Sequence, residues 1–452
     1  MILLGSSSLS LAAIALQAPE LSGADTAWLL MSTALVLLMT PALGFFYGGL
    51  VRSKNILNTL MMSFASLGVV GVTWVVAGYS LAFAEGNALI GGLDYVFLRG
   101  VGLEGGAFGA FPHLLFMAFQ GTFAIITAAL ISGAVVERMR FGPYLAFISL
   151  WTLVVYAPIA HWVWGGGWIF ALGALDFAGG TVVHINAGIA AVVAAMVVGT
   201  RKDFGRQALL PHNVTYVLLG AALLWFGWFG FNGGSALGAN ATAALAFVNT
   251  MLAPAATLVV WMLLDSFRTG KATAVGAATA IVVGLVAITP AAGFVGPMSA
   301  LAIGGIAAFP SYYAILFRSR SRLDDSLDVF AAHGTGGIVG ALLTGVFAST
   351  VWGSADGAIA GAPGMVVTQL IGILAAAAYS AAGTFLLLKV IGMIVPLRRV
   401  AKEEGMGMDI VLHGEEGYAR GEGAVLVLSD SAPRKVQVAA PVGAARTKKE
   451  TV

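Results

Sequence analysis

The stretch DFAGGTVVHINAG, residues 176–188, sets one acid and one imidazole eight residues apart among apolar and small neighbours. A second stretch, DSLDVFAAHGTGG at 325–337, repeats the offset between Asp325 and His333. An ionisable group inside an apolar span is costly and usually faces a cavity or a pathway. What surrounds these two stretches decides whether His184 and His333 are two solitary core residues or one pair.

The surroundings are those of a membrane protein. Of 452 residues, 59% are apolar and only 10% charged, against about 25% charged in soluble domains. The apolar runs are long and unbroken, which favours spanning helices over the short alternating segments of a barrel. Sixty glycines suit helices packed closely in lipid. A net charge of +2 with no basic cluster excludes an evident nucleic-acid surface. With no cysteine, disulfides, thiolate metal sites and thiol nucleophiles are excluded.

A spanning helix needs roughly 20 apolar residues. Polar breaks predict eleven, near 26–50, 56–84, 113–136, 144–168, 179–199, 214–235, 241–267, 273–291, 298–317, 329–350 and 365–396. Arg52, Lys54, Arg138, Arg140, Arg201, Lys202, Arg206, Arg268, Lys271, Arg318, Arg320 and Arg322 fall in alternate connections, while the opposite set holds Arg99 alone. That bias predicts an N-terminus outside and a cytosolic C-terminus. The organisation expected is a signal-like leader over 1–24, a transmembrane domain over 25–396 and a cytosolic tail over 397–452, the tail docking onto the cytosolic face up to about Arg420.

Asp176 enters the fifth helix from one side and Asp325 the tenth from the other. At 1.5 Å per residue each histidine lies about 12 Å deep, so the two approach each other near the midplane of a core about 30 Å thick. Helices five apart with opposite orientation predict an inverted five-plus-five repeat, which commonly places a transport site at its interface. GFFYGG at 44–49 and GFNGG at 230–234 echo the same repeat. Asp176 itself reads both as a helix cap and as a fixed charge near the outer mouth.

Aromatic clusters, HWVWGGGW at 161–168 and WFGWFGF at 225–231, read largely as interfacial belts. Interfacial roles are likewise expected of His113 and His161, while His212 and His413 stand off the pathway. Phe119 and Phe123 lie deeper, beside Gln120, where desolvated aromatic faces attract a cation.

FFYGGLVRSKN, AFQGTFA, YAPIAHWVWGGGW, DFAGGTVVHINAG, GWFGFNGGS, ALAFVNT, DVFAAHGTGGIVG and HGEEGYA together resemble the ammonium transporter (Amt/Rh) family, its prokaryotic Amt branch in particular. The resemblance covers nearly all of residues 26–420. It implies an all-α fold of eleven transmembrane helices with inverted halves, a homotrimer with one pore per subunit, and no cofactor. It implies an outer ammonium site at Trp164, Phe119, Phe123 and Ser235, supported by Asp176. Below it would come a gate of Phe123 and Phe231, then the paired histidines His184 and His333, with Gln120, Trp228 and Thr289 at further pore positions. A PII-type regulatory protein at the cytosolic face is an inherited expectation.

Three other readings compete. An intramembrane metalloenzyme would use His184, His333 and Asp176, but catalytic zinc usually wants three protein ligands, and neither HExxH nor a nearby third His or acid is present. An ammonium sensor coupled to a cytosolic PII-type partner would need an output domain, for which the tail is short. An Rh-type gas channel fits Trp164 and Ser235 less well.

Overall fold

The computed structural model describes residues 20–418 except residue 107; most of the expected leader and the end of the tail lie outside that range. Among the described residues, ten helices are long and apolar enough to cross a membrane. They are α1 (Gly23–Leu50), α2 (Ser53–Phe83), α3 (His113–Val135), α4 (Phe141–Ala171), α5 (Gly180–Val198), α6 (Val214–Gly234), α7 (Ala241–Thr269), α9 (Pro297–Arg320), α10 (Phe330–Phe347) and α11 (Gly364–Ile394). Between α7 and α9, α8 (Ala274–Ile288) occupies the predicted 273–291 segment but is shorter, with 15 residues. Its early end has a local cause. Pro290 lacks an N–H and disfavours helical backbone before it, and residues 289–294 form turns.

Several helix starts are written in single side chains. Asn213, Asn240 and Thr273 accept from Tyr216 N, Ala243 N and Gly276 N at the starts of α6, α7 and α8. Each satisfies an N–H that the first turn would otherwise leave unpaired. A short hairpin, β1 (Gly105–Gly106) with β2 (Gly109–Pro112), decorates the α2–α3 connection.

The two halves pack alike. α1 contacts α3 as α6 contacts α8, α2 contacts α4 as α7 contacts α9, and α3 contacts α5 as α8 contacts α10. α11 lies outside that pattern, across α4, α5 and α10. The halves meet along glycine seams. Gly220, Gly227, Gly230 and Gly234 of α6 face Phe46, Met39, Leu35 and Ser32 of α1 so closely that a Cβ would collide at each. The order runs antiparallel, as inverted halves require.

The end rich in Lys and Arg, called the inner end below, is tied by a buried ionic web. The fully buried Glu137 carboxylate accepts from Arg52 Nε and Nη2 and from Arg201 Nη1, each at 3.0 Å, and from Asn55 Nδ2 at 2.7 Å. Arg201 reaches on to Asp324 at 2.8 Å. The tail helices α12 (Ala401–Met406) and α13 (Met408–His413) dock onto this web. Met408 N donates to Asn55 Oδ1 at 2.8 Å, and Asp409 accepts from Leu57 N and Asn58 N.

Burial works to raise the Glu137 carboxyl, but Arg201 and Arg52 outweigh it and leave it below its ordinary value. Asp324 is likewise lowered, Arg201 and Arg138 outweighing its burial. A depressed carboxyl contributes stability above its unfolded pKa and loses it as pH falls through the folded one. Glu137→Gln removes a buried charge that Arg52 and Arg201 share, leaving them only Asp203 and Asp324, and should cost about 3 kcal/mol, read as a lowered unfolding temperature in detergent at pH 7. The gap to the wild type should narrow as pH falls below the carboxylate range, where Glu137 itself becomes neutral.

Candidate functional site

Both histidine helices open with a wide π-helical turn, Gly180–Ile185 in α5 and Phe330–Gly334 in α10, and each turn carries its histidine. Such turns often mark functional sites. The chain enters the first through Gly179, whose φ of +114° is a left-handed conformation that side chains rarely adopt. Asp176 caps it. Its Oδ1 accepts from Gly179 N at 2.9 Å and Gly180 N at 2.6 Å, and its Oδ2 from Thr181 N at 2.8 Å and Val182 N at 3.1 Å. Burial pushes this carboxyl up to about 6 while the four N–H donors hold it down. Asp325 stands in the same place in the other half but receives Phe330 N at 2.8 Å on Oδ2, its Oδ1 being buried without a partner.

At the centre α5 crosses α10 with glycine against glycine. A Cβ on Gly188 would strike Gly334, and one on Gly337 would press on Ile185 and His184. That approach sets His184 Nδ1 3.3 Å from His333 Nδ1, with the rings stacked at 5.4 Å between centroids. A neutral imidazole has one N–H and one lone pair, so the Nδ1–Nδ1 bond leaves one ring with N–H at Nε2 and the other with a lone pair there. His184 Nε2 is buried and has no protein partner.

Three spaces line up on this pair. The outer pocket, about 170 Å³, is lined by Gln120, Phe123, Trp164 and Ser235 among other residues. Trp164 sits where α4 breaks at a triple glycine, and its Nε1 donates to Asp176 O at 2.8 Å. Ser235 Oγ already donates to Phe231 O at 2.8 Å, so toward the pocket it can only accept. Gln120 Oε1 is a buried acceptor without a partner. Below the pocket Phe123 and Phe231 stack at 4.2 Å and 29°. Beneath them lies a lumen with about 10 Å³ of free space, lined by His184, His333, Trp228 and six aliphatic residues besides Phe231. That is about one water-sized sphere. The inner vestibule, about 210 Å³, reaches His333 from the other end and is lined by Phe46, Tyr47 and Asp328 among others.

The structure thus assembles Trp164, Phe123, Ser235, Gln120, Phe231, Trp228, His184 and His333 along one line. Three expected residues stand off it. Phe119 is fully buried behind Phe123, 4.9 Å away edge-on. Asp176 is a cap whose oxygens are filled by backbone. Thr289 accepts from Trp228 Nε1 at 2.9 Å and donates to Leu285 O at 2.7 Å; it holds the indole that stacks on His184 at 5.4 Å. His113 and His161 are not interfacial. His113 is buried with Nε2 2.5 Å from Tyr79 Oη, and the buried His161 lies between the carbonyls of Ala82 and Asn87. Nor are Trp228 and Phe231 belt residues, being 2% and 0% exposed. Sequence reasoning missed Phe46 in the inner vestibule. The signal was present: aligning GFFYGG with GFNGG puts Phe46 opposite Phe231.

A many-helix membrane protein with a narrow, largely apolar central path between two vestibules is a transport protein. The chain belongs to the ammonium transporter family, whose model, described as Ammonium Transporter Family, matches residues 27–418. It is 48% identical over 398 residues to an ammonium transporter of Bacillus subtilis, covering 87% of this chain and 98% of that protein. It is 44% identical to ammonium transporter Amt1 of Archaeoglobus fulgidus, covering 88% of this chain and all of that one. The crystal structure of Candida albicans Mep2 superposes with a TM-score of 0.80 at 37% identity, over 85% of this chain and 88% of Mep2. A sensor Amt protein gives 0.80 at 30% identity, over 86% and 98%.

Gly188→Ala tests the central crossing. The added methyl group must push α5 from α10, at about 1–3 kcal/mol for overpacking. Thermal unfolding should show that cost, and transport should fall beyond what the lost protein explains, because the Nδ1–Nδ1 contact opens.

Proposed function

We propose that this chain moves ammonium across the membrane by capturing the cation outside, stripping a proton from it and passing ammonia along the histidine pair. The observation that carries this reading is the succession of acceptor-lined pocket, stacked phenyl gate and nearly closed apolar lumen with two imidazoles in it. Ammonium brings four N–H donors. Ser235 and Gln120 offer acceptors, and the faces of Trp164 and Phe123 add cation–π attraction in a partly desolvated pocket.

Below the gate the logic reverses. An apolar lumen this narrow makes a bare cation far more costly than a small neutral amine. Potassium and sodium have no proton to leave behind, whereas ammonium does. The imidazole pair shares one proton and presents one donor and one acceptor to ammonia, while Trp228, held by Thr289, braces His184 and Phe231. Asp176 supports capture indirectly, through its carbonyl on Trp164 and its charge at the outer end.

The charge bias supports an outside N-terminus in the cytoplasmic membrane, the tail in the cytosol, and a functional unit of 25–396 with 397–452 as regulatory tail. A homotrimer and a PII-type partner at the inner mouth fit the family. The sensor reading has one observation behind it, the likeness to a sensor Amt protein. Transport is favoured because the outer pocket, the lumen and the inner vestibule line up on the histidine pair. A metal centre is disfavoured, as no group of three or more His, Cys, Asp or Glu gathers among the described residues.

His184→Ala with His333→Ala should cut ammonium-selective flux in proteoliposomes by on the order of a hundredfold, the scale of losing positioned proton-transfer groups. Retained flux with selectivity over potassium sinks the relay. Trp164→Leu should raise the half-saturating ammonium concentration roughly tenfold, from about 1–2 kcal/mol of lost cation–π attraction, with little change in maximal rate. An unchanged concentration dependence removes the aromatic face from capture.

A further inference from the structure

The outer pocket is larger than the ion it is proposed to capture. It holds about 170 Å³, whereas a water molecule, whose size ammonium shares, takes about 30 Å³. The residues that meet the ion account for only part of its wall. Phe83 at the end of α2, Phe116 on α3 and Phe108, just before β2, line the same pocket with phenyl rings that offer no acceptor. Phe108 lies flat on Phe116 at 4.1 Å and 6°. Both stand edge-on to Phe83, at 5.8 and 5.1 Å. The three rings form one apolar wall beside the capture residues.

Phe108 comes from a connection rather than a spanning helix, and its place is built. In the hairpin Gly106 pairs with Gly109. Its base is closed by His113 N on Glu104 O and Leu114 N on Gly102 O, each at 3.0 Å, and Ser22 N ties Ala110 O to the start of α1 at 2.7 Å. His113, which neither capture nor conduction uses, is packed against the hairpin. Its ring lies 5.5 Å from Phe108 and 5.0 Å from Tyr95. Tyr79 Oη stands 2.5 Å from its Nε2, and a Cβ on Gly106 would press on its own Cβ at 3.2 Å.

We infer that this wall is a subsite for the alkyl chain of primary alkylammonium ions, which the pocket captures and the lumen refuses. The inference rests on the capture reading above. The charged head meets Ser235, Gln120 and Trp164 as ammonium does, and the chain lies against Phe108, Phe116 and Phe83. Such ions stay charged at neutral pH, as the lysine side chain does. A chain of two or three carbons does not fit a lumen with about 10 Å³ of free space. Amines are thus sorted in two stages: charge and N–H donors are read in the pocket, and size is read below the gate. The longer members are competitive blockers, not cargo. His113 acts as a positioning residue that seats Phe108.

The test measures ammonium uptake by the full-length protein in proteoliposomes, with methyl-, ethyl- and propylammonium as competitors. Each methylene that reaches the wall should strengthen competition roughly fourfold, and labelled propylammonium should not accumulate inside. Phe108→Ala and Phe108→Gln should each flatten that dependence on chain length. Trp164→Leu should weaken ammonium and all three competitors alike, because it acts on the shared head. Competition that does not grow with chain length, or entry of propylammonium, overturns the inference, as does a wild-type slope in both Phe108 variants. Failure of the capture reading is distinguishable, since it shows as an unchanged ammonium half-saturation in Trp164→Leu. His113→Leu should flatten the slope, and His113→Gln, whose Oε1 can accept from Tyr79 Oη, should restore it. A wild-type slope in His113→Leu overturns the positioning role.

Discussion

The approach of Gly188 to Gly334 is the contact on which the rest of the molecule turns. Two helices of opposite direction cross with no side chain between them, so that the imidazoles four and one residues earlier fall 3.3 Å apart. In lipid no hydrophobic force draws helices together; small residues and close van der Waals packing do. The glycine seam of α6 against α1 extends the same solution along the other crossing and keeps the two halves in register.

Polarity is then sorted by depth. Charged groups gather at the ends, each with partners: Asp176 under four backbone N–H groups, and Glu137 and Asp324 among arginines. The centre keeps two imidazoles in an aliphatic and aromatic sleeve. A pathway built this way offers acceptors in the outer pocket and, in the lumen, only the lone pair of one imidazole. The same economy explains why Thr289, a polar residue at pore depth, spends its hydroxyl on Trp228 and Leu285 rather than on the lumen.

Much of this was legible in the chain. The spans follow from hydropathy because a bilayer permits few backbone solutions, and every predicted segment is met by a helix within a few residues. The mirrored Asp–His offsets identified the pair because the repeat preserves spacing. What escaped was radial position. HWVWGGGW and WFGWFGF look alike as aromatic runs, yet Trp228 and Phe231 turn into the pore while His161 is enclosed by the backbone carbonyls of Ala82 and Asn87. Phe119 and Phe123, one helical turn apart on α3, differ only in which neighbour each meets. The capacity of Ser235 solely to accept depends on Phe231 O being within reach.

By itself the sequence determined the membrane class, the spans, the inverted repeat and the identity of the paired histidines, because hydropathy, charge bias and spacing are properties of the linear chain. Only the tertiary structure decided which faces of those helices look inward, how narrow the lumen is, and which hydroxyls and carboxylates are already engaged. Those depend on the rotation and closeness of each helix against its neighbours, set by glycine contacts far apart in the chain and near-touching in space.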